Sequence, residues 1–223
     1  MRYEFATAEQ IVVGPGTSGE LAKRTRAFGR RALVALGSST IARGGPAAEV
    51  AAQLQAAGLA VVTHTVTGEP RAADVEAGAR LAREASCDLV IGIGGGSVLD
   101  SAKAIAALAA NTGSALDYLE VVGAGKPLER AALPVVAVPT TAGTGSEVTR
   151  NAVVAVPEQS AKASMRHPSL LPRLALVDST LTHDLPPSVT ASSGLDALTQ
   201  LLEAYVSRRA QPITDGLCVE GLI

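Results

Sequence analysis

Short uninterrupted apolar runs alternate with longer segments that carry their charges on one side, and this alternation predicts a repeating strand–helix unit. The runs at 32–36, 60–63 and 89–93 recur about every 28 residues, the spacing of a strand, a crossover helix and their turns. Strands without polar alternation are buried on both faces, so these read as parallel neighbours. Between them, roughly 46–57 and 72–85 combine Ala and Leu with one-sided charge and run toward Gly58 or Ser86, as helices covering a sheet do. A helix over 98–110 follows the third strand. Then come a less regular stretch containing Gly113, Gly123 and Gly125, an apolar strand over 133–138, and further strands over 152–156 and 174–177. Pro186-Pro187 marks a break. Beyond it Leu195, Leu198, Leu201, Leu202 and Tyr205 recur at helical spacing, and Thr214 opens another helix in which the sequence ends. The expected architecture is α/β. A Rossmann-like doubly wound parallel sheet domain spans 1–185, and 186–223 begin an all-helical domain that is incomplete as it stands.

Composition supports this and narrows the partners. Apolar residues make up 47% of the 223 positions but aromatic ones only 2%, so the core is built from Ala, Val, Leu and Ile. The formal charge is -2, and the 19 Lys and Arg are spread along the chain, which removes the electrostatic basis for nucleic-acid or membrane-surface binding. A small soluble ligand is the expected partner. Cys87 and Cys218 lack metal-type spacing, so the expectation is a reducing cytoplasm without a disulfide framework. No signal peptide or spanning helix is expected either.

The chemistry concentrates in two loops. In Gly94-Gly95-Gly96-Ser97 a buried strand runs into consecutive glycines and then a helix. Glycines let an anion approach the backbone, and a helix N-terminus offers free N–H groups with partial positive charge. The order is not the common G-x-G-x-x-G fingerprint, because Ser97 stands where its last glycine would be. The plainer alternative is a tight turn in which Ser97 caps the helix and Asp100 completes a capping box. The second loop, Pro139-Thr140-Thr141-Ala142-Gly143-Thr144-Gly145-Ser146-Glu147, follows a strand end, where open α/β sheets place their ligands. Thr140, Thr141, Thr144 and Ser146 can donate to phosphate, ribose or carboxamide without adding charge. Alternatively, the loop satisfies its own backbone with Glu147 merely solvated.

Three segments in order carry a resemblance: Gly94-Gly95-Gly96-Ser97-x-x-Asp100-x-Ala102-Lys103, the 139–147 loop, and Gly194-Leu195-Asp196-Ala197-Leu198-Thr199 before Glu203-Ala204-Tyr205. Together they resemble the iron-containing (group III) alcohol dehydrogenases over essentially the whole chain. The resemblance implies a dehydroquinate-synthase-like fold, with a dinucleotide domain, a helical domain holding a divalent metal, and hydride transfer in the cleft between. It implies that Gly95, Gly96 and Ser97 contact pyrophosphate, that Thr140 and Thr141 lie by the nicotinamide end, and that Lys162 and Leu181 line the cofactor site. From the residues alone, Lys162 reads equally as a surface lysine.

At the metal the sequence departs from the family pattern, in which one helix supplies Asp and, four residues on, His, with two histidines further along. Asp196 matches the first position and is the expected catalytic anchor, but Gln200 occupies the second. Spacing of four keeps both on one helix face, and Gln is a neutral oxygen donor, poorer than imidazole for Fe2+ or Zn2+. His64, His167 and His183 match none of the family positions and read as turn or surface residues. The metal site is therefore expected to be incomplete in this chain.

At the end of the first strand, Leu36-Gly37-Ser38-Ser39-Thr40 carries no carboxylate for a ribose 2′-OH. Gly37 leaves room, two serines can bind a 2′-phosphate, and Arg71 lies after the next strand, so of NAD and NADP the reading leans to NADP. The functional expectation is metal-assisted hydride transfer between a small alcohol and its aldehyde or ketone. Two alternatives stand beside it: a dinucleotide-binding chain without catalysis, and a maleylacetate-reductase-like activity. Apolar residues left on the 195–205 helix call for a cover, which leaves room for a homo-oligomer.

Overall fold

The computed structural model describes residues 2–223. Its strands are β1 (Ile11–Val13), β2 (Arg31–Gly37), β3 (Ala60–Val66), β4 (Leu89–Gly94), β5 (Val135–Pro139), β6 (Asn151–Val156), β7 (Ala161–Arg166) and β8 (Leu174–Val177). All except β6 and β7 join one parallel sheet in the order β1-β8-β5-β4-β2-β3. The helices are α1 (Leu21–Thr25), α2 (Ser38–Arg43), α3 (Pro46–Ala56), α4 (Ala72–Glu84), α5 (Gly96–Ala110), α6 (Ala115–Tyr118), α7 (Pro187–Tyr205) and α8 (Pro212–Leu222).

The central strands are buried on both faces, as their unbroken apolar runs require. Leu33, Ala35 and Val90 point to one side, into a core shared with α4, α5 and the β6–β7 hairpin. Ala32, Val34, Leu36, Ile91 and Ile93 point to the other, against Leu21 of α1 and Val50 and Leu54 of α3. Each fully buried Leu or Ile stabilises the fold by about 1.5–3 kcal/mol, and the alternation fixes register, since a one-residue slip would exchange the faces. β2 and β4 lie side by side with Ala32 opposite Leu89 and Leu36 opposite Ile93. The chain leaves β2 toward β3 and leaves β4 toward β5, in opposite directions. That divergence is a topological switch point, and it opens a crevice beyond the strand ends.

The expected strands and the helices flanking them are present, with instructive differences. β5 starts at Val135 rather than 133, and α5 starts at Gly96 rather than 98. β1 and β7 went unanticipated. β1 has only three residues at a sheet edge, with Ile11 and Val13 exposed. In β7 only Ala163 and Met165 turn inward, pairing with Val154 and Ala152, while Lys162 and Arg166 face out. Such a strand carries too weak an apolar signal to stand out.

After Pro186 the chain becomes helical, and α7 packs against α8. No residue of α7 is buried, and Leu195 is 64% exposed. No helix among the described residues is long and apolar enough to cross a membrane.

Candidate functional site

The glycine turn sits at the switch point. β4 ends at Gly94, Gly95 is the N-cap of α5, and Gly96 is already helical; no side chain caps this helix. Val98 N turns back onto Gly95 O at 3.0 Å, while Gly96 and Ser97 line the cleft with no side chain capping their N–H groups, the arrangement that attracts an anion. The capping-box alternative is overturned, because Ser97 lies inside the helix and Asp100 turns elsewhere.

The three glycines answer to different neighbours. A Cβ on Gly94 would stand 2.5 Å from Val98 Cγ2, so that glycine is required by strand–helix packing. A Cβ on Gly96 would stand 2.7 Å from Thr144 Cγ2, so the second loop approaches the helix mouth too closely for a side chain. Gly95 is less crowded, 3.3 Å from Thr141 Cγ2, across the mouth.

A cleft of 560 Å³ opens here. Its floor is Gly95, Gly96 and Ser97; one wall is Gly37 to Thr40 at the end of β2, and the other is Thr140, Thr141 and Thr144 beyond β5. Val66 and Gly68 extend the first wall, while Ser193 and Asp196 of α7 face the second. No Lys or Arg is among the described residues lining it. Thr140 is 6% exposed and its N–H donates to Gly94 O at 3.0 Å, joining the second loop to the glycine turn. Beneath Thr140, buried Leu181 closes a smaller hollow with Thr40 and Leu185.

A second hollow of 410 Å³ adjoins the cleft and shares Gly96, Ser97 and Thr144 with it. Asp100, Ser146 and Gln200 line it, together with Glu69, Thr149, Asn151 and Val153, which sequence reasoning missed. Ser146 is not free to meet a ligand as the other loop hydroxyls are: its Oγ donates to Asp100 Oδ1 at 2.6 Å. Lys162 lines neither space; its ammonium lies 3.1 Å from Glu69 Oε2, and both side chains are more than half exposed. Glu147 is not simply solvated, as burial pushes its carboxyl up from the usual range against its own backbone hydrogen bond and the Lys103 charge.

The helical segment reaches the site at Gly143, where a Cβ would stand 2.6 Å from Ser193 O. One turn apart on α7, Asp196 lines the cleft and Gln200 the second hollow. Gln200 Nε2 donates to Gly143 O at 3.1 Å, which leaves its Oε1 as the remaining donor atom for a metal. Among the described residues no three His, Cys, Asp or Glu side chains come together. Asp196 and Gln200 by themselves do not make a metal site of the usual coordination.

Fold and cleft first define a class: a Rossmann-like α/β protein whose cleft opens at the switch point of its sheet, facing a short helical segment. Residues 8–179 match the iron-containing alcohol dehydrogenase family. Long-chain-alcohol dehydrogenase 1 of Geobacillus thermodenitrificans is 40% identical over 211 residues, 94% of this chain and 53% of that protein. Among solved structures, a 1,3-propanediol oxidoreductase superposes with a TM-score of 0.91 at 29% identity, covering 99% of this chain and 57% of that one. The sulfoacetaldehyde reductase of Bifidobacterium kashiwanohense, solved with NAD+, gives 0.87 at 32% identity, covering 100% and 58%. The chain belongs to the iron-containing alcohol dehydrogenase family. It spans about half the length of the curated relatives it matches.

Proposed function

We propose that this chain carries the cofactor-binding part of an NAD(P)-dependent oxidoreductase that interconverts a small alcohol and its aldehyde or ketone. In this reading 1–185 form the dinucleotide domain and 186–223 begin the helical, metal-binding one. The observation that carries it is the uncapped mouth of α5 at Gly95, a cradle that a single side chain would fill, facing the hydroxyls of Thr141 and Thr144 across the cleft. Backbone N–H groups at the α5 mouth would hold the pyrophosphate, Gly37 to Thr40 the adenosine half, and Thr140, Thr141 and Thr144 the nicotinamide half. Among the described lining residues, which include no Lys or Arg, helix dipole and hydroxyls are the groups that meet the anion.

When bound, the nicotinamide supplies hydride acceptance and donation. The chain's own residues bind and orient it. Asp196 faces the nicotinamide wall and would anchor Fe2+ or Zn2+ with Gln200 as a weak oxygen partner. The described residues bring no third ligand to that pair, so Asp196 and Gln200 by themselves do not complete a metal site. The same observation favours a second reading, in which these 223 residues bind the dinucleotide without catalysis.

Titration of the purified chain with NADPH and NADH, alongside metal analysis and an aldehyde-reduction assay, separates the two. Catalysis requires stoichiometric metal and turnover. Binding alone is established if NADPH binds, metal is absent and no aldehyde is reduced, while a chain extended past Ile223 turns over. Failure to bind either dinucleotide at about 1 mM, a limit near 4 kcal/mol of binding free energy, overturns both readings.

For cofactor choice the proposal is NADP. Ser38 and Ser39 line the adenosine wall, and no acidic residue among the described ones does; Arg71 is not among the described residues lining the cleft, its backbone being bridged to Ala155. Ser38→Asp places a carboxylate where a 2′-phosphate would sit. NADPH affinity is expected to fall about tenfold or more, with NADH unchanged or tighter, a shift of roughly 1.4 kcal/mol in preference. Equal weakening of both cofactors would remove the basis for this assignment.

A further inference from the structure

Helix α5 is enclosed by the sheet, α4 and the β6–β7 hairpin, and its buried positions are Ala, Ile, Leu and Val with one small hydroxyl, Ser101. Lys103 breaks the pattern: it is a long cationic side chain, yet at 1% exposed it is as deeply buried as its apolar neighbours. Its ammonium is ringed by oxygens, with Asp100 Oδ1 at 2.9 Å, Ser146 O at 2.9 Å, Thr149 Oγ1 at 3.3 Å, and Asn151 O in close contact. Three N–H donors are thereby fully used. Burial pushes the lysine down from its usual range, and the charges of Asp100 and Glu147 oppose this.

Two of those oxygens are main-chain carbonyls, of Ser146 and Asn151, in the segment 146–153 that leads out of the hydroxyl loop. Asp100 grips the same segment through Ser146 Oγ at 2.6 Å and Val153 N at 3.0 Å. The pair thus fastens one stretch of backbone to the helix whose mouth is the phosphate cradle. Thr149, Asn151 and Val153 within that stretch line the second hollow, beside Thr144. A buried ion pair is rarely the most stabilising filling for a core, so packing alone does not account for a lysine here.

We propose that Lys103, with Asp100, is a positioning residue: it sets the hydroxyl loop and the 146–153 segment against the mouth of α5 and thereby orients the nicotinamide half of the cofactor. This rests on the dinucleotide reading above for its functional consequence, though not for the clamp itself. The adenosine half and pyrophosphate depend on β2, α2 and the glycine mouth of α5, which are held by the sheet and its core, whereas the clamp joins the body of α5 to 146–153.

Lys103→Met keeps the length and removes the charge. Amide exchange across 146–153 is expected to accelerate at least tenfold, with β2 and α4 keeping wild-type protection. NADPH affinity is expected to fall at least tenfold, while 2′-phospho-ADP-ribose, which lacks the nicotinamide, changes by less than twofold. Should the single variant misfold because Asp100 is left unpaired, Asp100→Asn/Lys103→Met removes both charges and decides the matter by the same readouts. Unchanged exchange across 146–153, or parallel weakening of both ligands, overturns the proposal. If wild-type protein binds neither ligand, the dinucleotide reading fails, and the exchange experiment still decides whether the clamp exists.

Discussion

Replacing Gly95 by valine is expected to abolish dinucleotide binding while leaving the fold in place. Gly95 has φ -74° and ψ -175°, extended backbone that any residue adopts. A Cβ there meets only Thr141, at 3.3 Å to Cγ2 and 3.4 Å to Oγ1, and a threonine on a loop yields by a few tenths of an ångström. The valine methyls then occupy the mouth of α5, where backbone N–H groups would otherwise face pyrophosphate. Loss of that approach should weaken NADPH at least about 100-fold, or roughly 2.7 kcal/mol. The thermal midpoint should stay within about 2 °C of wild type. Gly94→Val is the informative contrast: its Cβ would lie 2.5 Å from Val98, inside the strand–helix contact, so it should lose stability first. Titration calorimetry and thermal melting on both variants separate cradle from packing. Wild-type affinity in Gly95→Val would remove the phosphate from this helix.

The second large effect is on stability and arises at a residue that lines neither the cleft nor the second hollow. Asp178 follows β8, is 1% exposed, and accepts hydrogen bonds from Gly16 N at 2.9 Å, Ser18 N at 2.9 Å, Thr180 N at 3.0 Å and Thr180 Oγ1 at 2.7 Å. It ties the turn after edge strand β1 to the end of β8. Burial alone would raise its carboxyl, but the bonds from Ser18, Thr180 and Gly16 outweigh this and hold it well below the usual carboxylate range. Asp178→Ala leaves buried donors unpaired and is expected to cost about 3 kcal/mol at pH 7, or roughly 6–12 °C in the midpoint. The folded-state pKa is depressed, so the unfolded chain takes up the proton first. The stabilisation is therefore complete above the unfolded value near 3.9 and declines as pH falls below it. Urea unfolding should show the gap between wild type and variant smaller by about 1 kcal/mol at pH 3 than at pH 7. A gap below about 1 kcal/mol at pH 7, or one that does not shrink in acid, would contradict this account.

Much of this molecule was legible in its sequence because its signals are local. The strands at 32–36 and 89–93 are apolar on both faces, and three consecutive glycines between a strand and a helix mark their own turn. What escaped depends on contacts that close over long separations. Asp100 reads locally as the third residue of a capping box, yet its partners are Ser146 and Val153, 46 and 53 residues onward. Lys103 stands in a helical repeat that cannot show which neighbours surround it, so nothing in its spacing distinguishes a buried ammonium from a solvated one. Asp178 is one acid among many until the turn at Gly16 to Ser18 folds back onto it.

The approach of α7 at Gly143 bears on how such a site can diverge. Loop and helix meet there main chain to main chain, with Ser193 O filling the space a side chain would take. The closeness of α7 to the cradle is set by that backbone contact and tied further by Gln200 Nε2, which donates to Gly143 O at 3.1 Å. Asp196, one turn earlier, lines the cleft. Exchanging Asp196 therefore alters what the helix can grasp and leaves its seat alone, whereas exchanging Gln200 also removes a tie that holds the helix to the loop.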